Sequence, residues 1–352
     1  MEGAQGNVPE VNWFCTYTPV EILEAAGLSH RRLTGIPEEA ERADAYLHPS
    51  MCPYLKACLA EGLSLPGFRR HAVFVNACDA MRRLYDTWSE LFPDAFVHLV
   101  DLPRGNSPRD LDILAGELRL LSRRMSEYFC VEVTGEALLE SCRKREEKRS
   151  AYLESSAGLP ASQRALLSLD LQSSRWEAPR RAEERPDSAG GVPVAVVGNF
   201  LNPHGLLRQL ETAGADVVLL DICNGDRPFL APIPVEATGE DPFSQLAAGY
   251  LKRSHCARMQ DFEGRVGLLL DKLEETGAAG VIYASLKFCD PYIYEFPSLE
   301  KALEARGFPV LRLESDYLDA HAGQVSTRVE AFLEMIAGGR GWSPGGPGRW
   351  ER

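Results

Sequence analysis

Short, continuously apolar runs alternate along the second half of the chain with segments in which apolar residues recur every three to four positions. The runs VPVAVVG, ADVVLLDI, AGVIYASL and PVLRLE have the length and composition of buried strands. Helical spacing lies between them, at Leu206, Leu207 and Leu210 and in the segments PSLEKALEARG and STRVEAFLEMIAG. Strands without polar alternation, separated by helices, indicate a parallel sheet covered on both faces.

The first half also contains predicted strands and helices, which lie farther apart in the sequence. HAVFVN and FVHLVD are typical of buried strands, and residues 79–91 between them have helical spacing. A further helix is predicted from Ser107, which stands as N-cap before Pro108 and Asp110. A short helix is predicted in VEILEAAGL, closed by Gly27, and another begins near Thr134.

These elements predict an α/β protein with two Rossmann-like lobes, each a parallel sheet flanked by helices. We expect an N-terminal lobe over residues 1–160 and a C-terminal lobe over 192–340. The stretch 161–191 contains APRRAEERPDSAGG, which has no apolar period and predicts an exposed linker. Residues 341–352 are predicted to be a flexible tail.

Composition narrows the functional classes. The 352 residues carry a net charge of −13, which argues against a nucleic-acid-binding protein. No apolar run approaches the roughly 18 residues that span a bilayer. The N-terminal sequence MEGAQGNVPEVNW has neither the basic nor the apolar region of a signal peptide, so a cytoplasmic location is expected.

Nine cysteines are unusual for such a chain, and their positions are informative. Cys78, Cys223 and Cys289 each follow a predicted strand, at the sheet edge where α/β proteins bind ligands. Three more lie in loops or at helix starts: Cys15, Cys52 and Cys256. The last three lie within helical patterns, where we expect thiols to pack: Cys58, Cys130 and Cys142. The chain has no C-x2-C pair typical of structural zinc, yet spacing alone leaves zinc, iron–sulfur and plain packing open.

Several segments, taken in order, resemble the 2-hydroxyacyl-CoA dehydratase component family, which includes cluster-bearing subunits of benzoyl-CoA reductase. They are FCTYTPVEILEAAGLSHRRLTG, HPSMCPYLKACLAEGL, VFVNACDAMRRLYDTW, KFCDPYIYEFPSLEKALEARGFPVLRLESDY and GQVSTRVEAFLEMI. The resemblance implies a [4Fe–4S] cluster in the cleft between two lobes, held here by Cys52, Cys78 and Cys289. It also implies an ATP-hydrolysing iron–sulfur activator and a related second subunit as partners.

The chemistry implied by the resemblance is elimination of water from a 2-hydroxyacyl-CoA. One-electron reduction of the thioester gives a ketyl radical anion, which expels the hydroxyl and makes the β-proton acidic. An open iron would act as Lewis acid, and a side chain near the cysteines would move the proton. The candidates for proton transfer are Glu21, His48, Asp79 and Glu295. Candidates for contacts with coenzyme A or the activator are Arg82, Arg83 and Asn199.

Two alternatives remain open. Cys15, Cys223 and Cys256 also match a branch of the family called double-cubane cluster proteins, in which six cysteines hold an [8Fe–9S] cluster. That branch resembles homodimeric reductases of small molecules. A non-catalytic electron-transfer or regulatory protein on the same scaffold is the third hypothesis. The chain has no P-loop and no GxGxxG turn, so we expect no nucleotide to bind to it.

Overall fold

Two four-stranded parallel sheets organise the chain. A computed structural model describes residues 9–174, 191–233, 239–252, 256–318 and 322–339. The first sheet contains β1 (Glu10–Trp13), β2 (Ser29–Arg32), β3 (His71–Val75) and β4 (Val97–Val100), and the second contains β5 (Val192–Gly198), β6 (Ala215–Asp221), β7 (Gly280–Leu286) and β8 (Val310–Ser315). The strand orders are β2-β1-β3-β4 and β6-β5-β7-β8, so both sheets repeat one topology. The predicted α/β class with two parallel sheets is confirmed.

Helices connect the strands in both halves. Those of the first half are α1 (Val20–Ala25), α2 (Pro53–Ser64), α3 (Asp79–Leu91), α4 (Pro108–Phe129), α5 (Gly135–Ser156) and α6 (Ala161–Leu171), with 3-10 turns at Pro37–Ala45 and Gly67–Arg69. Those of the second half are α7 (Leu206–Thr212), α8 (Arg227–Leu230), α9 (Pro242–Leu251), α10 (Phe262–Thr276), α11 (Asp290–Glu304) and α12 (Ala322–Gly338). None of the helices in the described part of the chain is long and apolar enough to cross a membrane.

The chain divides into two compact units, which are not continuous in sequence. One unit comprises Met1–Ala151, Leu169–Ala178 and Ala231–Arg253. The other comprises Tyr152–Ser168, Pro179–Leu230 and Ser254–Arg352. Helix α9 therefore belongs with the first sheet, although it follows the second sheet's strand β6 in sequence.

The second sheet is buried on both faces, as the continuous apolar runs predict. All seven residues of β7 are buried. On one face Val194, Val196 and Ile282 pack with residues of α7 and α12. On the other face Val197 and Tyr283 pack with residues of α10 and α11. Successive strand residues thus enter opposite cores, which explains why the run has no polar alternation.

The start of α4 is the one that the sequence predicts. Ser107 Oγ accepts a hydrogen bond from the Asp110 backbone N–H, and the Asp110 carboxylate accepts one from the Ser107 N–H. This capping box satisfies two backbone donors that the helix itself leaves free. The helix then continues for 22 residues, with Leu114, Leu118 and Leu121 buried along the predicted stripe.

The structure also adds elements that the hydrophobic pattern does not indicate. Strands β1 and β2 have the sequences EVNW and SHRR, which lack an apolar run. Helix α6 occupies Ala161–Leu171, where the sequence predicts the start of an exposed linker, and Ala161 and Ala165 are buried there in an apolar core. The rest of that predicted linker, 175–190, and the predicted tail, 341–352, lie outside the described residues.

Candidate metal centre

Cysteines follow the two central strands of the first sheet. Cys15 comes just after β1 and Cys78 just after β3, and these strands are neighbours. The chain continues from β1 to β2 on one side and from β3 to β4 on the other, so the order reverses between β1 and β3. In open α/β sheets, ligands bind at the carboxyl edge beside such a reversal. The first unit therefore presents two thiols at the expected ligand position.

Two cysteines of this unit are N-cap residues. Cys78 caps α3, and its sulfur accepts a hydrogen bond from the Met81 backbone N–H at 3.4 Å. Cys52 stands at the N-cap of α2, immediately before Pro53, and is buried. Backbone donors at a helix start favour the thiolate form, which is the form that ligates metals.

Cysteines also follow two strands of the second sheet, the edge strand β6 and the central strand β7. Cys223 follows β6, and Cys289 follows β7 as the N-cap of α11. Asn199, directly after β5, ties these strand ends together: its carbonyl accepts the Cys223 N–H at 3.0 Å and its Oδ1 accepts the Leu286 N–H at 3.2 Å. Phe288, next to Cys289, has a left-handed backbone with φ of 60°, a strained conformation for a bulky residue.

A buried arginine and tyrosine connect two thiols of the second unit. Arg227 Nη1 lies 3.5 Å from the Cys223 sulfur and donates to the Tyr292 hydroxyl at 2.6 Å. The Tyr292 hydroxyl lies 4.0 Å from the Cys256 sulfur. Both Arg227 and Tyr292 are buried, whereas the two cysteines are half-buried. These four side chains form the arginine–tyrosine bridge.

Burial shapes the protonation of the arginine–tyrosine bridge. Burial raises the pKa of Tyr292 well above its ordinary value, so its hydroxyl keeps the proton and remains a hydrogen-bond donor. Burial and the neighbouring Cys223 also raise the pKa of the Cys256 thiol, although Arg227 and the Arg258 backbone N–H act in the opposite direction. Burial lowers the pKa of Arg227, but Asp221, Tyr292 and Cys223 together raise it well above its ordinary value, so the guanidinium stays charged.

The three cysteines expected to pack behave in two ways. Cys58 and Cys142 are buried within α2 and α5, as expected of packing thiols, and burial raises the pKa of each thiol. Cys130 is exposed and forms the left-handed C-cap of α4. The packing interpretation therefore holds for Cys58 and Cys142 and not for Cys130.

Two of the candidate proton-transfer residues are held in buried ion pairs. Glu21 is fully buried, lies 2.8 Å from Arg145 and accepts a hydrogen bond from the Tyr250 hydroxyl at 2.7 Å. Glu295 has a buried side chain that accepts two hydrogen bonds from Arg265, at 2.7 and 3.1 Å.

The other two candidates are exposed. His48 lies four residues before Cys52, and its Nδ1 accepts a hydrogen bond from the Ser50 backbone N–H. Asp79 lies in the first turn of α3, directly after Cys78, and pairs with Arg83 at 3.5 Å. These two side chains are thus accessible and adjacent in sequence to cysteines of the first unit.

The candidate contacts for coenzyme A differ in the same way. Arg82 and Arg83 are exposed on α3, and Arg83 is shared between Asp79 and Asp86. Asn199 is buried and its side-chain oxygen accepts a hydrogen bond from a strand end, while its Nδ2 has no hydrogen-bond partner among the described residues.

The chemistry of the donor set fits an iron–sulfur cluster. All six candidate cysteines are free thiols at strand ends, helix starts or in loops, and three of them have backbone or guanidinium donors close to the sulfur: Cys78, Cys223 and Cys256. Such donors are a feature of protein iron–sulfur ligation. Within the described part of either unit, no group of three histidine, cysteine, aspartate or glutamate side chains is arranged to hold a metal ion.

Arg227 and Arg265 escape sequence reasoning. Arg227 follows Cys223 by four residues in CNGDR, and Arg265 lies in α10, but nothing in the sequence separates a buried arginine from the many exposed ones. The signal that could indicate buried arginines is their carboxylate partner Asp221, because it ends a strand predicted to be buried and a buried carboxylate needs a cation.

Comparisons with known proteins identify the family of the chain. Residues 15–336 match the family described as 2-hydroxyglutaryl-CoA dehydratase, D-component. The chain is 26% identical to the putative dehydratase subunit YjiM of Escherichia coli (strain K12), covering 96% of this chain and 94% of the relative. It is 22% identical to the (R)-phenyllactyl-CoA dehydratase beta subunit of Clostridium sporogenes (91% and 90% covered) and 26% identical to a benzoyl-CoA reductase subunit of Thauera aromatica (91% and 89% covered). The family match spans seven of the eight strands and all six candidate cysteines, and the chain therefore belongs to the 2-hydroxyglutaryl-CoA dehydratase D-component family.

Proposed function

We propose that the chain is the iron–sulfur subunit of a 2-hydroxyacyl-CoA dehydratase, a hydro-lyase. The observation that carries the proposal is the near full-length family match together with thiols at the carboxyl edges of both parallel sheets. Cys52, Cys78 and Cys289 would hold a [4Fe–4S] cluster as thiolates. When bound, the cluster would supply the low-potential electron and a Lewis-acid iron.

The chain's own residues would bind and protect the reacting group. We assign proton transfer to His48 or Asp79, because both side chains are exposed and close in sequence to a proposed ligand. His48 precedes Cys52 by four residues, and Asp79 directly follows Cys78. Glu21 and Glu295 are engaged by Arg145 and Arg265, so we assign them to holding the fold around the cysteines. Arg82, exposed on α3 after Cys78, would contact coenzyme A phosphates or the activator.

The proposal includes two partners. Relatives are designated as subunits, which supports a related second subunit for this chain. An ATP-hydrolysing iron–sulfur activator would deliver the electron, since no nucleotide-binding motif is present in the sequence.

The test is the iron and acid-labile sulfide content of the anaerobically purified chain. A single cubane gives about four irons per chain. We expect Cys78→Ser to lower the content, whereas Cys142→Ser, a buried thiol of the same unit, leaves it unchanged. Zinc in place of iron would contradict the proposal.

A second candidate is a double-cubane reductase of small molecules. Its specific support is the arginine–tyrosine bridge, which brings the Arg227 guanidinium to the Cys223 sulfur and the Tyr292 hydroxyl to the Cys256 sulfur. These two positions are surplus in the single-cubane form. The six-cysteine form adds Cys15, Cys223 and Cys256 to the ligand set and predicts about eight irons per chain.

Turnover separates the enzymes from an electron-transfer protein. With activator, ATP and a second subunit, a dehydratase releases water from a 2-hydroxyacyl-CoA, while a reductase consumes electrons with a small-molecule acceptor. A chain that binds iron and shows neither activity would be the non-catalytic electron carrier.

A further inference from the structure

We infer that Arg227 and Tyr292 are positioning residues that set the reduction potential of a cluster bound by Cys223 and Cys256. The inference rests on the six-cysteine form of the proposed function. It concerns two side chains that no sequence motif singles out as ligands or bases, and it follows from their burial and their contacts with the two sulfurs.

Arg227 is fixed in place by the ends of two strands. Its Nε donates to Asp221 Oδ1 at 2.7 Å, and its Nη2 donates to the carbonyl of Gly198 at 2.8 Å and to that of Asp221. Nη1 is left to face Tyr292 and Cys223. The guanidinium therefore cannot turn away from the thiol without breaking buried hydrogen bonds.

Tyr292 connects Arg227 to Cys256. Its oxygen accepts the Arg227 hydrogen bond, so its own proton is available to donate, and the Cys256 sulfur lies 4.0 Å away. The ring is buried among the apolar side chains under α10 and α11, with the Arg265 guanidinium 5.9 Å from its centroid. The hydroxyl is thus held toward the sulfur from a rigid position.

The electrostatic consequence follows from the charge balance of reduction. Reduction of the bound cluster would add one electron from the low-potential activator and would break no bond. The added negative charge spreads onto the ligand sulfurs, where nearby donors and a positive charge stabilise it. Arg227 and Tyr292 should therefore raise the reduction potential relative to a protein that lacks them.

The experiment is a potentiometric titration of the anaerobically purified holoprotein, followed by electron paramagnetic resonance. Tyr292→Phe removes the donor and keeps the ring, and we expect about a tenfold weaker reduction equilibrium, about 59 mV more negative for one electron. Arg227→Gln should shift the potential further in the same direction, and Arg227→Lys should restore part of it. Tyr152→Phe is the matched control, since that buried hydroxyl binds Asp226 and no sulfur.

The outcomes distinguish this inference from the proposed function. A wild-type chain with about eight irons, together with an unshifted potential in Tyr292→Phe at full iron content, would overturn the inference and leave the six-cysteine reductase standing. About four irons in the wild type would overturn both the inference and the six-cysteine form, and the dehydratase proposal would remain. Should Arg227→Gln fail to fold because Asp221 loses its closest partner, Tyr292→Phe still decides.

Discussion

Buried ion pairs occupy several of the acidic residues that the sequence offers for chemistry. Glu21 with Arg145 and Glu295 with Arg265 are examples, and Glu24 is another, with Lys148 at 2.7 Å and His30 at 3.2 Å. Residue type and nearness to the motif cysteines made Glu21 and Glu295 candidates for proton transfer, because a sequence does not reveal which cation a carboxylate pairs with. His48 and Asp79 keep that candidacy through their exposure.

We predict that Glu24 contributes stability that is lost in acid. Burial raises the pKa of Glu24, but the hydrogen bond from His30 and the charge of Lys148 outweigh it and lower the pKa to about 2 from an ordinary value of 4.5. A depressed carboxyl pKa stabilises the fold above pH 4.5, and this contribution falls as the pH drops from 4.5 toward 2.

The measurement is urea unfolding of wild type and Glu24→Gln. We expect the gap in unfolding free energy at pH 7 to be on the order of 2 kcal/mol and to narrow by about 1 kcal/mol near pH 3.5. Glu147→Gln, an exposed carboxyl on α5, should show no such narrowing. A pH-independent gap for Glu24→Gln would contradict the prediction.

At the scale of elements, apolar pattern and capping residues predict most helices and strands closely. The range 79–91 is α3 as predicted, VPVAVVG is β5, and Gly27 has the expected positive φ after α1. The apolar pattern did not predict β2, because its sequence, SHRR, is polar. Its His30 and Arg32 are buried and have polar partners outside the strand. His30 pairs with Glu24, which in turn pairs with the distant Lys148, and Arg32 donates a hydrogen bond to the distant Gln172.

For α4 we predict a measurable cost of losing its cap. Ser107→Ala removes the side-chain acceptor of the Asp110 N–H and should lower the unfolding free energy by about 1 kcal/mol. Ser107→Asn, which can still cap, should recover most of the loss. Equal destabilisation by both substitutions, measured by chemical denaturation, would argue that the hydroxyl acts in some other way.

At the scale of the whole molecule, each sheet has its own apolar core. The two faces of the second sheet bury separate clusters around β5 and β7. The first sheet buries Phe14, Phe74 and Trp88 together, with ring centroids 4.5–6.0 Å apart. The fold of each unit is therefore expected to survive loss of a cluster.

We predict that oxygen exposure or iron chelation bleaches the visible absorption of the holoprotein and leaves the far-ultraviolet circular dichroism nearly unchanged. The thermal midpoint should fall by a few degrees, since a bound ligand adds stability by mass action. Collapse of helicity together with the absorption would show instead that the cluster is needed for folding.

The sequence by itself determined the alternation of strand and helix in both halves, the capped start of α4, the family and the placement of cysteines at strand ends. It could do so because local hydrophobic periodicity and capping depend on neighbouring residues. Only the tertiary structure decided that SHRR is a strand, that α9 belongs with the first sheet, and that Arg227 and Tyr292 meet two thiols. Burial and pairing of polar side chains arise from contacts between distant segments, which no local pattern contains.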